Sequence, residues 1–140
     1  MHRYPNLRIY WTDMRSRAAL ELALTAAAPE PYRRRARKDA QSLVKEPYPH
    51  GPAMGTTILA ALAGQEGDTG RAVTLLTEAL RLYQEAGMLS SAAAAKLRLA
   101  SLCGGERGAA LRTEAESWAA QEGVRDLETV KRLHTSGFRN

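Results

Sequence analysis

The sequence predicts an all-α chain of about seven helices folded as antiparallel helical hairpins, and three observations carry this. Alanine and leucine dominate while β-branched residues are sparse, a composition suited to helix interiors. Apolar residues recur at steps of three and four through most of the chain. Glycine and proline fall between those periodic segments, at short turns that bring each helix back against the last.

The first helix is expected from about Pro5 to Ala28, with Leu7, Tyr10, Trp11, Met14 and Ala18 forming its core face. Pro29 and Pro31 close it and open the second helix, since proline is tolerated in a first turn and not in a helix interior. That second helix sets Tyr32, Ala36, Ala40, Leu43 and Val44 on one side and Arg33, Arg34, Arg37, Lys38 and Gln41 largely on the other. The segment EPYPHGP, residues 46–52, stops helix with three prolines and a glycine and reads as a stiff connector.

A third helix from about Pro52 to Gln65 buries Ile58, Leu59 and Leu62, and GQEGDTG turns the chain, with Asp68 or Thr69 capping the fourth helix. The fourth presents Ala72, Leu75, Leu76, Ala79, Leu82, Tyr83 and Ala86 as one stripe. Gly87 suits a left-handed helix end, with Met88 supplying its apolar contact, and serines open the fifth helix, SSAAAAKLRLASLC. Gly104-Gly105 turns into a sixth helix carrying Leu111, Ala115, Trp118 and Ala119, and Gly123-Val124 repeats the earlier ending. Asp126 caps a short seventh helix with Val130 and Leu133 inward. The expected organisation is thus one domain over 1–140, with hairpins at about 5–46, 52–87 and 89–123 and a terminal helix at about 126–135.

Composition narrows the function classes. Cys103 is the only cysteine, so no internal disulfide and no thiolate-rich metal site can form, which fits a reducing cytoplasm. The start, MHRYPNLRIYWTDMRSR, breaks its apolar residues with charges and reads neither as a signal peptide nor as a membrane span. The net charge of +5 lies in residues 1–50, which hold ten Lys/Arg against five Asp/Glu, whereas residues 51–140 hold ten against ten.

An internal repeat is visible. Thr77-Glu78-Ala79 aligns with Thr113-Glu114-Ala115 at an offset of 36, which also pairs Leu82 with Trp118 and Gly87 with Gly123, a period in the range of helical-hairpin repeats. Gly67-Asp68, Ala72, Leu76 and Ala79 resemble the tetratricopeptide repeat (TPR) pattern of glycine-acid turn, small, large and small residues. The resemblance implies a TPR-like α-solenoid, in which small residues let two helices approach closely. Trp118, Gly123-Val124-Arg125-Asp126, Glu128, Leu133 and Gly137-Phe138 further resemble the carboxyl-terminal tail of bacterial multidomain regulators that join a serine/threonine kinase domain, often with an NTPase module, to helical repeats. That resemblance implies a tail without its catalytic domains.

Motifs for chemistry are weak. Glycines 64, 67 and 70 lack the lysine and the strand of a phosphate-binding loop, and no HRD or DFG motif of a kinase is present. Asp68-Thr69-Gly70 matches the tripeptide of aspartic proteases but sits between helices, where an aspartate serves as a cap. His2, His50 and His134 are isolated, without HExxH or a cysteine cluster, so no metal and no cofactor is expected. Cys103, beside Leu99 and Leu102, reads as a packing residue, as do Trp11, Trp118 and Tyr83 on their stripes. The basic run Arg33, Arg34, Arg37 and Lys38 suits nucleic acid, an acidic protein or a membrane surface, or a solvated outer face.

The expected function is therefore a non-catalytic protein-interaction or intramolecular regulatory module of signalling type, with a protein or the rest of a parent polypeptide as partner. A basic nucleic-acid-binding helical domain is the alternative. In repeats of this kind the first helix of each pair lines a curved groove. This makes Met54, Thr57, Gln65 and Lys96 the candidate partner-binding surface positions.

Overall fold

A computed structural model describes residues 5–139, and these are all-helical, with seven helices and no strand among them. In chain order they are α1 (Pro5–Thr25), α2 (Glu30–Val44), α3 (His50–Gln65), α4 (Thr69–Glu85), α5 (Leu89–Cys103), α6 (Gly105–Glu122) and α7 (Leu127–His134). Each helix from α1 to α5 packs on the next, and in addition α1 packs on α3 and α5 on α7. No helix among the described residues is long and apolar enough to cross a membrane.

Helix ends follow local chemistry. Asp68 accepts the Arg71 N–H and Asp126 the Thr129 N–H, each at 3.0 Å, so both carboxylates satisfy a donor that a new helix leaves open. Gly87 and Gly123 sit at φ +71° and +72°, and behind them Met88 N–H reaches the Tyr83 carbonyl at 2.9 Å and Val124 N–H the Ala119 carbonyl at 2.8 Å. The fifth helix departs from expectation: its N-cap is Met88, without a side-chain bond, and Ser91 directs its hydroxyl to α7.

Close approach depends on missing side chains. A Cβ on Gly55 would lie 2.7 Å from the Ala40 carbonyl oxygen, and one on Gly108 would lie 2.8 Å from that of Ala100. The α2/α3 and α5/α6 pairs therefore meet at backbone contact, where any added carbon forces a shift.

The main core runs through α1 to α5 and includes Leu20, Leu43, Ile58, Leu76, Tyr83, Leu99 and Phe138. Trp118 packs with Ala93, Leu97 and Ala115 in a smaller cluster. Cys103 packs, partly buried, against the main core.

The first helix corrects the sequence reading. Leu7, Trp11 and Met14 are 67%, 64% and 58% exposed, and Tyr10 and Ala18 also lie at the surface. The buried face is Ile9, Asp13, Ser16, Leu20 and Ala23, a second stripe with the same three- and four-residue steps. Polar Asp13 and Ser16 hide that stripe in the sequence, yet both are accommodated: Ser16 donates to the Asp13 carbonyl at 2.8 Å and the Asp13 carboxylate lies 3.0 Å from Arg17 Nε. With its small Ser16, Ala19 and Ala23, this side can approach α2 and α3 more closely than one bearing Trp11.

Two smaller corrections have the same origin. On α2, Tyr32 and Val44 turn outward while Asp39 is buried, because Arg15 grips its carboxylate with two bonds of 2.7 and 3.0 Å. On α7, Leu133 is exposed and Lys131 is the buried residue, its ammonium 2.7 Å from Glu128.

Candidate functional site

α1, α3, α5 and α7 contribute to a groove whose centre holds Thr135 to Phe138, a bend and turn directly after α7. Gly137 is clamped through its backbone: its N–H donates to Glu21 Oε1 at 2.7 Å and its carbonyl accepts from Gln65 Nε2 at 2.7 Å. Gln65 Nε2 also donates to the Leu20 carbonyl at 3.0 Å, and Gln65 Oε1 accepts from Arg33 Nε at 3.2 Å. Both amide protons of Gln65 are thus committed, which sets the orientation of the carboxamide.

Arg98 is the second clamp. Buried on α5, it donates to Thr135 Oγ1 at 3.2 Å and to the Thr135 carbonyl at 3.3 Å, and its guanidinium carbon lies 4.9 Å from the centroid of the Phe138 ring. Burial lowers its pKa while the fields of Glu128 and Glu21 act the other way, and a guanidinium stays charged. The Phe138 ring covers the face of α3 left bare by Gly64, with two ring carbons 3.7 Å from where a Cβ there would stand.

Open space adjoins the seated segment on two sides. A cavity of about 400 Å³ opens between Tyr10, Asp13, Met54, Thr57, Ser91 and His134, and one of about 460 Å³ between Glu21, Arg98, Arg132 and Arg139. Arg17, Leu133 and Ser136 line both. Each volume matches a site for a small molecule or a few side chains.

The first cavity has an apolar wall and a paired polar floor. Thr57 Oγ1 donates to the Ala53 carbonyl at 2.9 Å, so the Tyr83 hydroxyl, 2.8 Å away, is the donor to Thr57. Burial pushes the Asp13 carboxyl up from its ordinary value, offset in part by the charge of Arg17. His134 Nδ1 lies 3.1 Å from Ser91 Oγ and ties α7 to α5, and burial together with Arg17 lowers its pKa. Tyr10 stacks on His50 at the rim, with ring centroids 5.4 Å apart.

The residues singled out from the sequence separate here. Met54 and Thr57 line the first cavity and are buried, at 7% and 5% exposure, rather than forming an open surface. Gln65 is buried as well, because its carboxamide bonds the chain end to α1. Lys96 faces α6, its ammonium 3.2 Å from Glu114. In the basic run, Arg33 turns inward to Gln65 and Glu30 and Arg37 pairs with Glu66, while Arg34 and Lys38 remain exposed. His2 lies outside the described residues.

Among the described residues no group of three or more His, Cys, Asp or Glu is placed to hold a metal ion. Glu21, Arg98 and Arg17 were missed from the sequence. Arg98 alone left a trace there, as a cation inside the apolar run LRLA. No family model, curated protein or solved structure matches the chain.

Proposed function

We propose that the chain is a non-catalytic, TPR-like helical-repeat module that holds a short peptide segment on the side formed by α1, α3, α5 and α7. The segment belongs to a partner protein or to another part of the same polypeptide, as in the tail of a kinase- or ATPase-type signalling regulator. One observation carries this reading: the groove already seats a short turn of chain, Thr135–Phe138, gripped at its backbone by side chains from three helices. Backbone-directed bonds give affinity for a peptide whatever its sequence, and adjacent cavities give selectivity. The turn at Gly67-Asp68 and the small residues of α4 support the repeat assignment.

Panning a random peptide library against the full chain tests the reading. Selected peptides are expected to protect α1, α3 and α5 from hydrogen exchange and to bind Tyr10→Ala, altered at the exposed rim, at least about tenfold more weakly. Peptides that map only to the outer face of α2 would sink the proposal. So would tight binding of mixed-sequence RNA that weakens steeply with salt through Arg34 and Lys38.

A further inference from the structure

The seat of Thr135–Phe138 states its own requirements residue by residue. Position 137 admits only glycine: φ is +85°, and a Cβ would lie 2.6 Å from Leu20 Cβ. The next position favours an aromatic ring, which fills the slot over Gly64 and meets the Arg98 cation face-on. Two residues before the glycine, a hydroxyl satisfies Arg98 Nε in a site with no exposure. Ser136, between them, is half-buried and faces both cavities, so its side chain is unconstrained.

We infer that the groove recognises partner-protein segments of the pattern Thr/Ser-x-Gly-aromatic, and that Thr135–Phe138 is a resident occupant which such a segment displaces. This rests on the peptide-groove reading above. The side chains that grip the segment stand on α1, α3 and α5, while the Lys131 carbonyl at the end of α7 accepts from the Thr135 N–H and hydroxyl, so an incoming threonine takes over that carbonyl as well. The cavities beside it give an incoming chain room to enter and continue.

Tethering sets the magnitude. A covalently attached occupant acts at an effective concentration on the order of 1 mM. With an intrinsic Kd of about 10 µM for the resident segment in its seat, it then weakens binding of a competing segment roughly 100-fold.

Phe138 is the only phenylalanine, so fluorophenylalanine labelling of the full native chain gives one fluorine NMR signal that reports its seating. Acetyl-Thr-Ser-Gly-Phe-Arg-amide at millimolar concentration is expected to move that signal from its buried to its solvent position. The same peptide with alanine for glycine is expected to leave it in place. In the full chain carrying Phe138→Ala, the tagged peptide is expected to bind about 100-fold tighter than to the native chain, and adding Arg98→Ala is expected to abolish this.

A signal that stays buried at about 10 mM peptide, well above the effective concentration, overturns the inference. Equal displacement by the alanine peptide overturns it too. Displacement that appears only as dimers form, with a second copy's end as the occupant, does the same. Should Phe138→Ala fail to fold, the fluorine titration on the native chain still decides. If library-selected peptides occupy the groove and the Gly-Phe peptide does not, the pattern fails while the peptide-groove reading stands.

Discussion

Gln65→Ala is expected to destabilise the chain by about 3 kcal/mol, more than its polar character suggests. Gln65 is 9% exposed, and its carboxamide donates to two carbonyls, of Gly137 at 2.7 Å and of Leu20 at 3.0 Å. Truncation leaves the Gly137 carbonyl without that donor inside a buried seat, at a cost of about 1–3 kcal/mol. The Leu20 carbonyl lies in the body of α1 and keeps its helical partner, so its share is about 1 kcal/mol or less. Lost burial of the side-chain carbons adds about 1 kcal/mol. At this chain length the sum corresponds to a Tm about 10 °C lower, read by far-UV circular dichroism on heating. Gln65→Glu keeps the volume but removes the donor, and is expected to melt as low. Lys96→Ala, which breaks a partly exposed ion pair with Glu114, is expected to cost about 1 kcal/mol or less. If Gln65→Ala melts no lower than Lys96→Ala, or if Gln65→Glu melts like the native chain, the donor argument is wrong.

Two further outcomes are expected. Ile9→Ala, at a site with no exposure, should destabilise by about 2–5 kcal/mol in denaturant unfolding. Trp11→Ala, 64% exposed on the same helix, should stay within about 0.5 kcal/mol of native; the reverse order would restore the core face expected from the sequence. The His134 pKa is lower in the folded state than its ordinary value of 6.5, so the unfolded chain binds the proton first and stability should fall as pH drops through and below 6.5. His134→Gln should lessen that fall in thermal melts taken across the window, and an unchanged slope would remove His134 from the pH response.

Helix starts and stops were legible because the interactions that make them span a few residues. Asp68 and Asp126 cap the amides three positions on, and Gly87 and Gly123 take the left-handed angle that favours glycine. The apolar stripe of α4 was legible for the same reason: one side of that helix is apolar and the other is not. α1 failed the same test because it carries two stripes. The bulkier one, Leu7, Trp11 and Met14, gives the stronger signal, while the buried one is interrupted by Asp13 and Ser16.

The clamp on the chain end lay beyond periodicity. Glu21 meets Gly137 across 116 residues, Gln65 meets Gly137 across 72 and Arg98 meets Thr135 across 37. Lone polar residues in apolar helices leave no trace of which distant group will satisfy them. The sequence by itself thus determined the helical class, the seven segments and most of their ends, since propensity, capping and glycine geometry act within a turn or two. Only the tertiary structure decided which side of α1 faces inward and what fills the groove. Those choices depend on how closely helices can approach and on which buried polar groups find partners, and both are properties of the packed chain.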